Sequence, residues 1–105
     1  MRKNFRTYDI AVEFNRRSCT LQLPGYLRDQ LNRAASSIVL NLAEGNVRRT
    51  QADRKKFFTI AYGSLKECQA ILDLATGETR PAAACADKLG AHLYRLIQNT
   101  TASRL

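Results

Sequence analysis

The stretch Gln30–Arg48, which reads QLNRAASSIVLNLAEGNVR, decides the fold of this chain. Its apolar residues recur at helical spacing, with one more just before it, and predict a single stripe on a helix: Leu27, Leu31, Ala34, Ala35, Ile38 and Leu42. A polar stripe lies beside it and consists of Gln30, Arg33, Ser37, Asn41, Glu44 and Arg48. Because side chains three and four residues apart are neighbours on a helix, these six residues predict a continuous polar seam along the core face.

Three further amphipathic segments accompany this helix. We expect helices over about residues 4–19, 26–44, 51–76 and 81–98. Pro24 cannot continue the first helix, and Gly45 fits the left-handed position past the end of the second. Thr50 with Asp53 resembles a capping box, and Gly77 is the expected stop of the third helix. The short connections predict an all-α fold, a single domain over residues 1–105 built as an antiparallel up-down-up-down four-helix bundle.

The first predicted helix is apolar on two sides. One stripe consists of Phe5, Tyr8, Val12 and Cys19, and the nearly opposite one of Ile10, Phe14 and Leu21. A helix with two apolar sides usually has both of them covered. In so short a chain, the second side is expected to meet another subunit. The alternative is that Ile10 and Phe14 are exposed, as scattered surface apolar residues often are.

The chain is strongly basic. Its 105 residues contain 17 Lys and Arg against 9 Asp and Glu, which gives a net charge of +8 and a pI near 9.9. Such an excess of positive charge attracts polyanions, above all nucleic acid. The alternative is that it only keeps the protein soluble. No apolar run approaches the ~20 residues that a bilayer requires, and the N-terminus lacks the apolar core of a secretory signal. We therefore expect a cytoplasmic protein that does not contact a membrane.

The three cysteines and the single histidine carry no predicted chemistry. Cys19, Cys68 and Cys85 are odd in number and lack paired spacing, so they indicate buried apolar side chains in a reducing compartment. His92 has no matched Cys or carboxylate spacing that would indicate a metal site. Ser37 has no identifiable base partner. We expect no enzyme, no cofactor and no metal.

Two clusters of cations are the candidate nucleic-acid-binding residues. The first occupies the predicted turn between the second and third helices and consists of Arg48, Arg49, Arg54, Lys55 and Lys56. The second lies at the N-terminus and consists of Arg2, Lys3 and Arg6, and Arg16 with Arg17 form a third basic cluster. Basic side chains next to a helix N-terminus are suited to bind phosphate oxygens. The alternative interpretation is that the cations of the turn form only a solvated hairpin tip. No helix-turn-helix, zinc-finger or RNA-recognition signature predicts sequence-specific reading of bases.

The polar seam has two interpretations. Ser64 and Glu67 on the third helix are predicted to face it. One interpretation is a satisfied hydrogen-bond network that fixes how helices or subunits pack. The other is a groove for a ligand or for nucleic acid. Beside this region, Gly63 and Ser64 lie inside the third helix, where small residues predict the close approach of another backbone.

Two patterns within these helices resemble a known family. The pattern QLxRAxxSIxxNLAEGxxR over residues 30–48 and the pattern FxxIAxGSLxE over residues 57–67 are similar to those of the bacterial "four helix bundle protein" family. Its founding members are encoded in intervening sequences of 23S ribosomal RNA genes. The resemblance implies an antiparallel four-helix bundle that assembles as a homopentamer. It also implies a distant relation to accessory proteins of diversity-generating retroelements, which form basic pentameric barrels that bind nucleic acid and a reverse transcriptase.

The expected function follows from charge, seam and resemblance together. It is a non-enzymatic, self-assembling four-helix bundle that binds RNA or DNA through repeated basic patches, without sequence specificity. The alternative is an oligomeric scaffold for protein interactions, or an accessory subunit of a partner enzyme, in which charge only speeds encounter.

Overall fold

The computed structural model describes residues 5–102, with side chains described through Thr100. Four helices follow one another in the chain: α1 over Arg6–Cys19, α2 over Gly25–Asn46, α3 over Gln51–Leu74 and α4 over Arg80–Ala102. All regular structure within this part of the chain is helical, which confirms the prediction of an all-α fold.

Each helix packs against two others. The contacts join α1 to α2, α2 to α3, α3 to α4 and α4 back to α1, and the molecule measures 46 × 22 × 20 Å. The predicted apolar stripe of α2 is buried from Leu27 to Leu42. It meets the large buried side chains of the other helices, among them Phe14, Phe58 and Leu89. Burial of these apolar side chains is the main favourable contribution to folding.

The prediction for the sides of α1 is wrong. Ile10 and Phe14 are 2% and 0% exposed and lie in the core of this chain, so they neither meet another subunit nor face solvent. The core-facing positions between and beyond them hold Thr7, Ala11 and Ser18, all buried. Three of the five core positions of α1 are therefore small or polar, so its apolar residues alone do not show the helical repeat of the buried side. The other predicted stripe lies at the edge of the core, because Phe5, Tyr8 and Val12 are half-buried and Cys19 is exposed.

Gly45 has a different role from the predicted one. It lies inside α2, which continues to Asn46, and it has no left-handed backbone conformation. A Cβ atom at this position would lie 2.6 Å from Cε1 of Phe58. Glycine is therefore required because the last turn of α2 rests directly on the Phe58 ring. Val47 instead follows the last helical residue as the C-terminal cap, and its N–H donates to the carbonyl oxygen of Glu44.

The ends of α3 and α4 differ by a few residues from those expected. The third helix ends at Leu74, because Ala75 has extended backbone angles and its N–H donates to the carbonyl oxygen of Leu72. Gly77 lies in the connection that follows. The fourth helix extends to Ala102, beyond the expected end near residue 98. Thr100 lies in this extra turn, where its side chain is buried and donates to the carbonyl oxygen of Leu96.

Candidate nucleic-acid interface

The connection between α2 and α3 is closed by its own side chains. Thr50 caps α3, since its hydroxyl accepts a hydrogen bond of 3.0 Å from the N–H of Asp53. Arg54 reaches back across the turn and donates from Nη1 to the carbonyl oxygen of Asn46 at 3.0 Å. Its guanidinium carbon lies 5.7 Å from the centre of the Phe58 ring. Arg54 is therefore half-buried and holds the turn together, rather than extending into solvent.

Four other cations of this turn are exposed. Arg48 forms an ion pair with Glu44 one turn earlier on α2. Arg48 and Lys56 also lie over the Phe57 ring, at 4.9 and 5.6 Å from its centre. Arg49 and Lys55 have no hydrogen bond or ion pair with any residue that the structure describes. The turn thus presents exposed cations around a partly buried aromatic ring, an arrangement suited to contacting phosphate.

The start of α1 lies against the same turn. The ring of Phe5 is 6.5 Å from that of Phe58, between ring centres, and 6.0 Å from that of Tyr8. Arg6 follows at once and is exposed, so this candidate from the N-terminal cluster lies at the end of α1 that contacts Phe58. The other two candidates, Arg2 and Lys3, lie outside the described residues.

Charge is unevenly divided along the long axis. Dividing each helix at its middle separates a basic half, residues 5–12, 36–62 and 92–100, from an opposite half, residues 13–35 and 63–91. Among the described residues each half carries seven Lys and Arg side chains, but the basic half has three carboxylates and the opposite half has six. The seven cations of the basic half are Arg6, Arg48, Arg49, Arg54, Lys55, Lys56 and Arg95. Sequence reasoning missed Arg95, because only folding brings α4 to this end.

His92 lies on α4, at the border between the two halves, and is partly buried. Burial lowers its pKa, and the positive charges of Arg95, Arg6 and Lys88 lower it further. Of these three cations, Arg95 and Arg6 belong to the basic half and Lys88 to the opposite half. No group of three or more His, Cys, Asp or Glu side chains in the described part of the chain could hold a metal ion. None of the helices, as far as they are described, is long and apolar enough to cross a membrane.

The middle of the polar seam is a hydrogen-bonded contact between α2 and α3. The hydroxyl oxygens of Ser37 and Ser64 are 2.8 Å apart and form a hydrogen bond, in which either hydroxyl can be the donor. Nδ2 of Asn41 donates to the carbonyl oxygen of Ser37 at 2.9 Å and lies 3.1 Å from its Oγ. These three partly buried side chains satisfy one another across the helix interface.

The rest of the seam does not join this network. Gln30, Arg33 and Glu67 are exposed, and Glu44 pairs with Arg48 along its own helix. The seam is thus covered only in its middle, where α3 lies over it, and its ends face solvent. A stripe at the boundary of a helix interface is buried or exposed according to the exact position of the partner helix, which the spacing of polar residues along α2 cannot reveal.

Comparison with known proteins gives one match. A family model described as 23S rRNA-intervening sequence protein matches residues 4–101. The chain belongs to this family. Membership in the 23S rRNA-intervening sequence family confirms the resemblance found in residues 30–67, and the match extends it over all four helices. Neither the curated proteins nor the solved structures include one that matches the chain.

Proposed function

We propose that this member of the family is a non-enzymatic, self-assembling bundle that binds RNA or DNA through contacts to phosphate. The observation that carries the proposal is the charge of the basic half, where seven cations face only three carboxylates in the described residues. Most of these cations are exposed side chains around the turn between α2 and α3. Such contacts neutralise phosphates and release counterions without reading the base sequence.

The bundle that we propose is antiparallel, with up-down-up-down helices. The support comes from pairs of residues in contact. Between α2 and α3, Ser37 is bonded to Ser64, whereas Gly45, farther along α2, lies against Phe58, which comes earlier in α3. Between α3 and α4, Leu65 lies near Gly90, and Gln69 donates to Asp87, again with the order reversed. Short connections favour the same arrangement.

The two buried thiols, Cys68 and Cys85, are unsuited to act as catalytic nucleophiles. Burial is the main factor that raises the pKa of Cys68 to about 12, with a smaller contribution from Glu67, so this thiol stays protonated and unreactive near neutral pH. Burial likewise raises the pKa of Cys85. All three cysteines are free thiols, which fits the cytoplasmic location that we propose.

The test is the salt dependence of binding to RNA of mixed sequence, followed by fluorescence anisotropy. The wild-type affinity should fall steeply between 50 and 200 mM salt. The Arg49→Gln/Lys55→Gln variant removes two exposed cations of the basic half. Its plot of log affinity against log salt should be shallower than that of the wild type by about 1.4 for single-stranded RNA.

The matched control is the Arg16→Gln/Lys88→Gln variant. It lowers the net charge by the same amount, but both of its substitutions lie in the opposite half, at exposed positions. It should leave the slope close to that of the wild type. Equal losses in the two variants would show that net charge, and not the basic half, governs binding. Absence of binding at 50 mM salt would refute the proposal and favour the protein-interaction scaffold.

A further inference from the structure

The outer sides of α2 and α3 expose most of the large apolar side chains of the molecule. Six such residues are exposed in the described part of the chain, and five of them lie on α2, on α3 or directly after α2. The five are Tyr26, Leu40, Val47, Ile60 and Leu74, with exposed fractions between 43% and 70%. The helix α1 exposes none. The exposed apolar surface of the described chain therefore lies mainly on α2 and α3.

These residues recur at intervals of seven. On α2 and at its end, Tyr26, Leu40 and Val47 fall in one register, together with Arg33; we call these four the outer stripe of α2. On α3, Ile60, Gly63, Glu67 and Leu74 form the outer stripe of α3, with steps of three, four and seven. A seven-residue apolar repeat is the pattern by which one helix packs along another. Each helix thus has a second packing stripe, on the side away from the core.

Gly63 is unexplained by the packing of this chain. It lies in the middle of α3, where glycine is a poor helix former, and a Cβ atom there would meet nothing within 4 Å. Gly45 has a neighbour inside the chain that requires glycine, whereas Gly63 does not. Gly63 is exposed and belongs to the outer stripe of α3. An absent side chain at this point leaves room for a helix from outside the chain.

The two outer stripes complement each other. The Ser37–Ser64 bond and the Gly45–Phe58 contact set the relative height of α2 and α3. At that register Leu40 is level with Ile60, and Arg33 with Glu67, to within a few residues along the helix. Both charged residues are exposed, and neither forms an ion pair within the described chain. The α2 stripe therefore has the charge and apolar pattern that the α3 stripe would accept.

We propose that α2 of one copy packs in antiparallel orientation against α3 of a second copy, with Leu40 opposite Ile60 and Arg33 opposite Glu67. Copies related by rotation about an axis parallel to the helices keep their residues at the same height. The register that aligns α2 with α3 inside one chain therefore also aligns them between two chains. This inference rests on the self-assembly of the proposed function and specifies its interface.

The arrangement has a consequence for the basic half. Rotation about an axis parallel to the helices places the basic halves of all copies at the same end of the assembly. Their exposed cations then form one surface on which several weak phosphate contacts act together. The contact is compatible with a pair of copies or with a closed ring, the pentamer implied by the family resemblance included.

Charge reversal tests the interface. Arg33→Glu places two carboxylates opposite each other, and Glu67→Arg places two guanidinium groups there, so each variant should associate at least tenfold more weakly than the wild type. The Arg33→Glu/Glu67→Arg variant restores an opposite pair and should recover the wild-type mass. Mass is measured by size-exclusion chromatography with light scattering over a range of concentrations, and circular dichroism checks that each variant is helical. Lys88→Glu, an exposed reversal on α4, is the control and should leave the mass unchanged.

A second pair of variants tests the apolar centre. Leu40→Glu inserts a charge into the proposed contact and should lower the assembled mass. Tyr94→Glu changes an exposed apolar residue of α4, outside the two outer stripes, and should leave the assembled mass unchanged. A wild-type protein that is a monodisperse monomer would overturn both self-assembly and this interface. An oligomer whose mass is unaffected by the single charge reversals and by Leu40→Glu would overturn the interface alone. RNA binding is measured separately and affects neither conclusion.

Discussion

Gly45 and Gly63 are both glycines inside helices, yet they differ in what surrounds them. At Gly45 the Phe58 ring occupies the space that a side chain would need. At Gly63 that space is open to the outside of the molecule. The inner side of the α2–α3 pair is therefore completed by this chain, whereas its outer side is not. A glycine inside a helix is required by the packing of its own chain only where its surroundings leave no room for a side chain, as at Gly45.

The largest expected effect follows from filling the inner space. Gly45→Ala places a Cβ atom against a fully buried ring, so Phe58 or the end of α2 must shift. Overpacking of this kind costs about 1–3 kcal/mol, and the better helix propensity of alanine offsets only part of it. The midpoint of urea unfolding should fall. The Gly45→Ala/Phe58→Leu variant tests the cause, because the smaller side chain should lessen the effect of adding the Cβ atom. An unchanged midpoint in Gly45→Ala would contradict the close contact.

A smaller effect is expected from the polar contact on the same inner side. Ser37 and Ser64 share a hydrogen bond of 2.8 Å across the helix interface. A double-mutant cycle with Ser37→Ala and Ser64→Ala should give a coupling energy of about 1 kcal/mol. Unfolding of the wild type, the two single variants and the double variant in urea supplies the four free energies of unfolding. Strict additivity would mean that the hydroxyls do not stabilise the pairing of α2 and α3.

The smallest effect has the opposite sign and lies on the outer side. Gly63→Ala adds a Cβ atom where the chain offers no obstacle, so the isolated chain should be stabilised by about 0.5–1 kcal/mol through helix propensity. Unfolding is measured at a protein concentration at which the wild type is dissociated. Destabilisation comparable to that of Gly45→Ala would show that the two glycines do not differ as described.

Much of this fold was predictable from local patterns. The four helices and the buried stripe of α2 follow from the 3.6-residue repeat, and Thr50 was recognisable as a helix cap from Asp53 three residues later. The core side of α1 was not predictable from its sequence, because Thr7, Ala11 and Ser18 occupy core positions without being large and apolar. Burial depends on the neighbouring helices as well as on the residue type. Because α1 has only 14 residues, three core positions that are small or polar are enough to obscure its 3.6-residue apolar repeat.

The candidate interface was predictable in part. Five cations at one turn are visible in the sequence, but their roles are not, because Arg54 is distinguished from Lys55 only by the carbonyl oxygen of Asn46 within its reach. Arg6 and Arg95 add to the positive charge of the basic half only because α1 and α4, which lie far apart in the sequence, reach the same end of the molecule. Electrostatic potential adds over space, so it can be assigned to one end only after the chain has folded.

The sequence by itself determined that this chain forms helices, where they begin and end to within a few residues, and which family it belongs to, because periodicity, caps and motifs are local properties. The tertiary structure alone decided which side of α1 is buried, why Gly45 must be glycine, which cations remain exposed and how charge divides between the two halves. The physical reason is the same in each case. These properties depend on distances between helices, and such distances arise only when all four pack together.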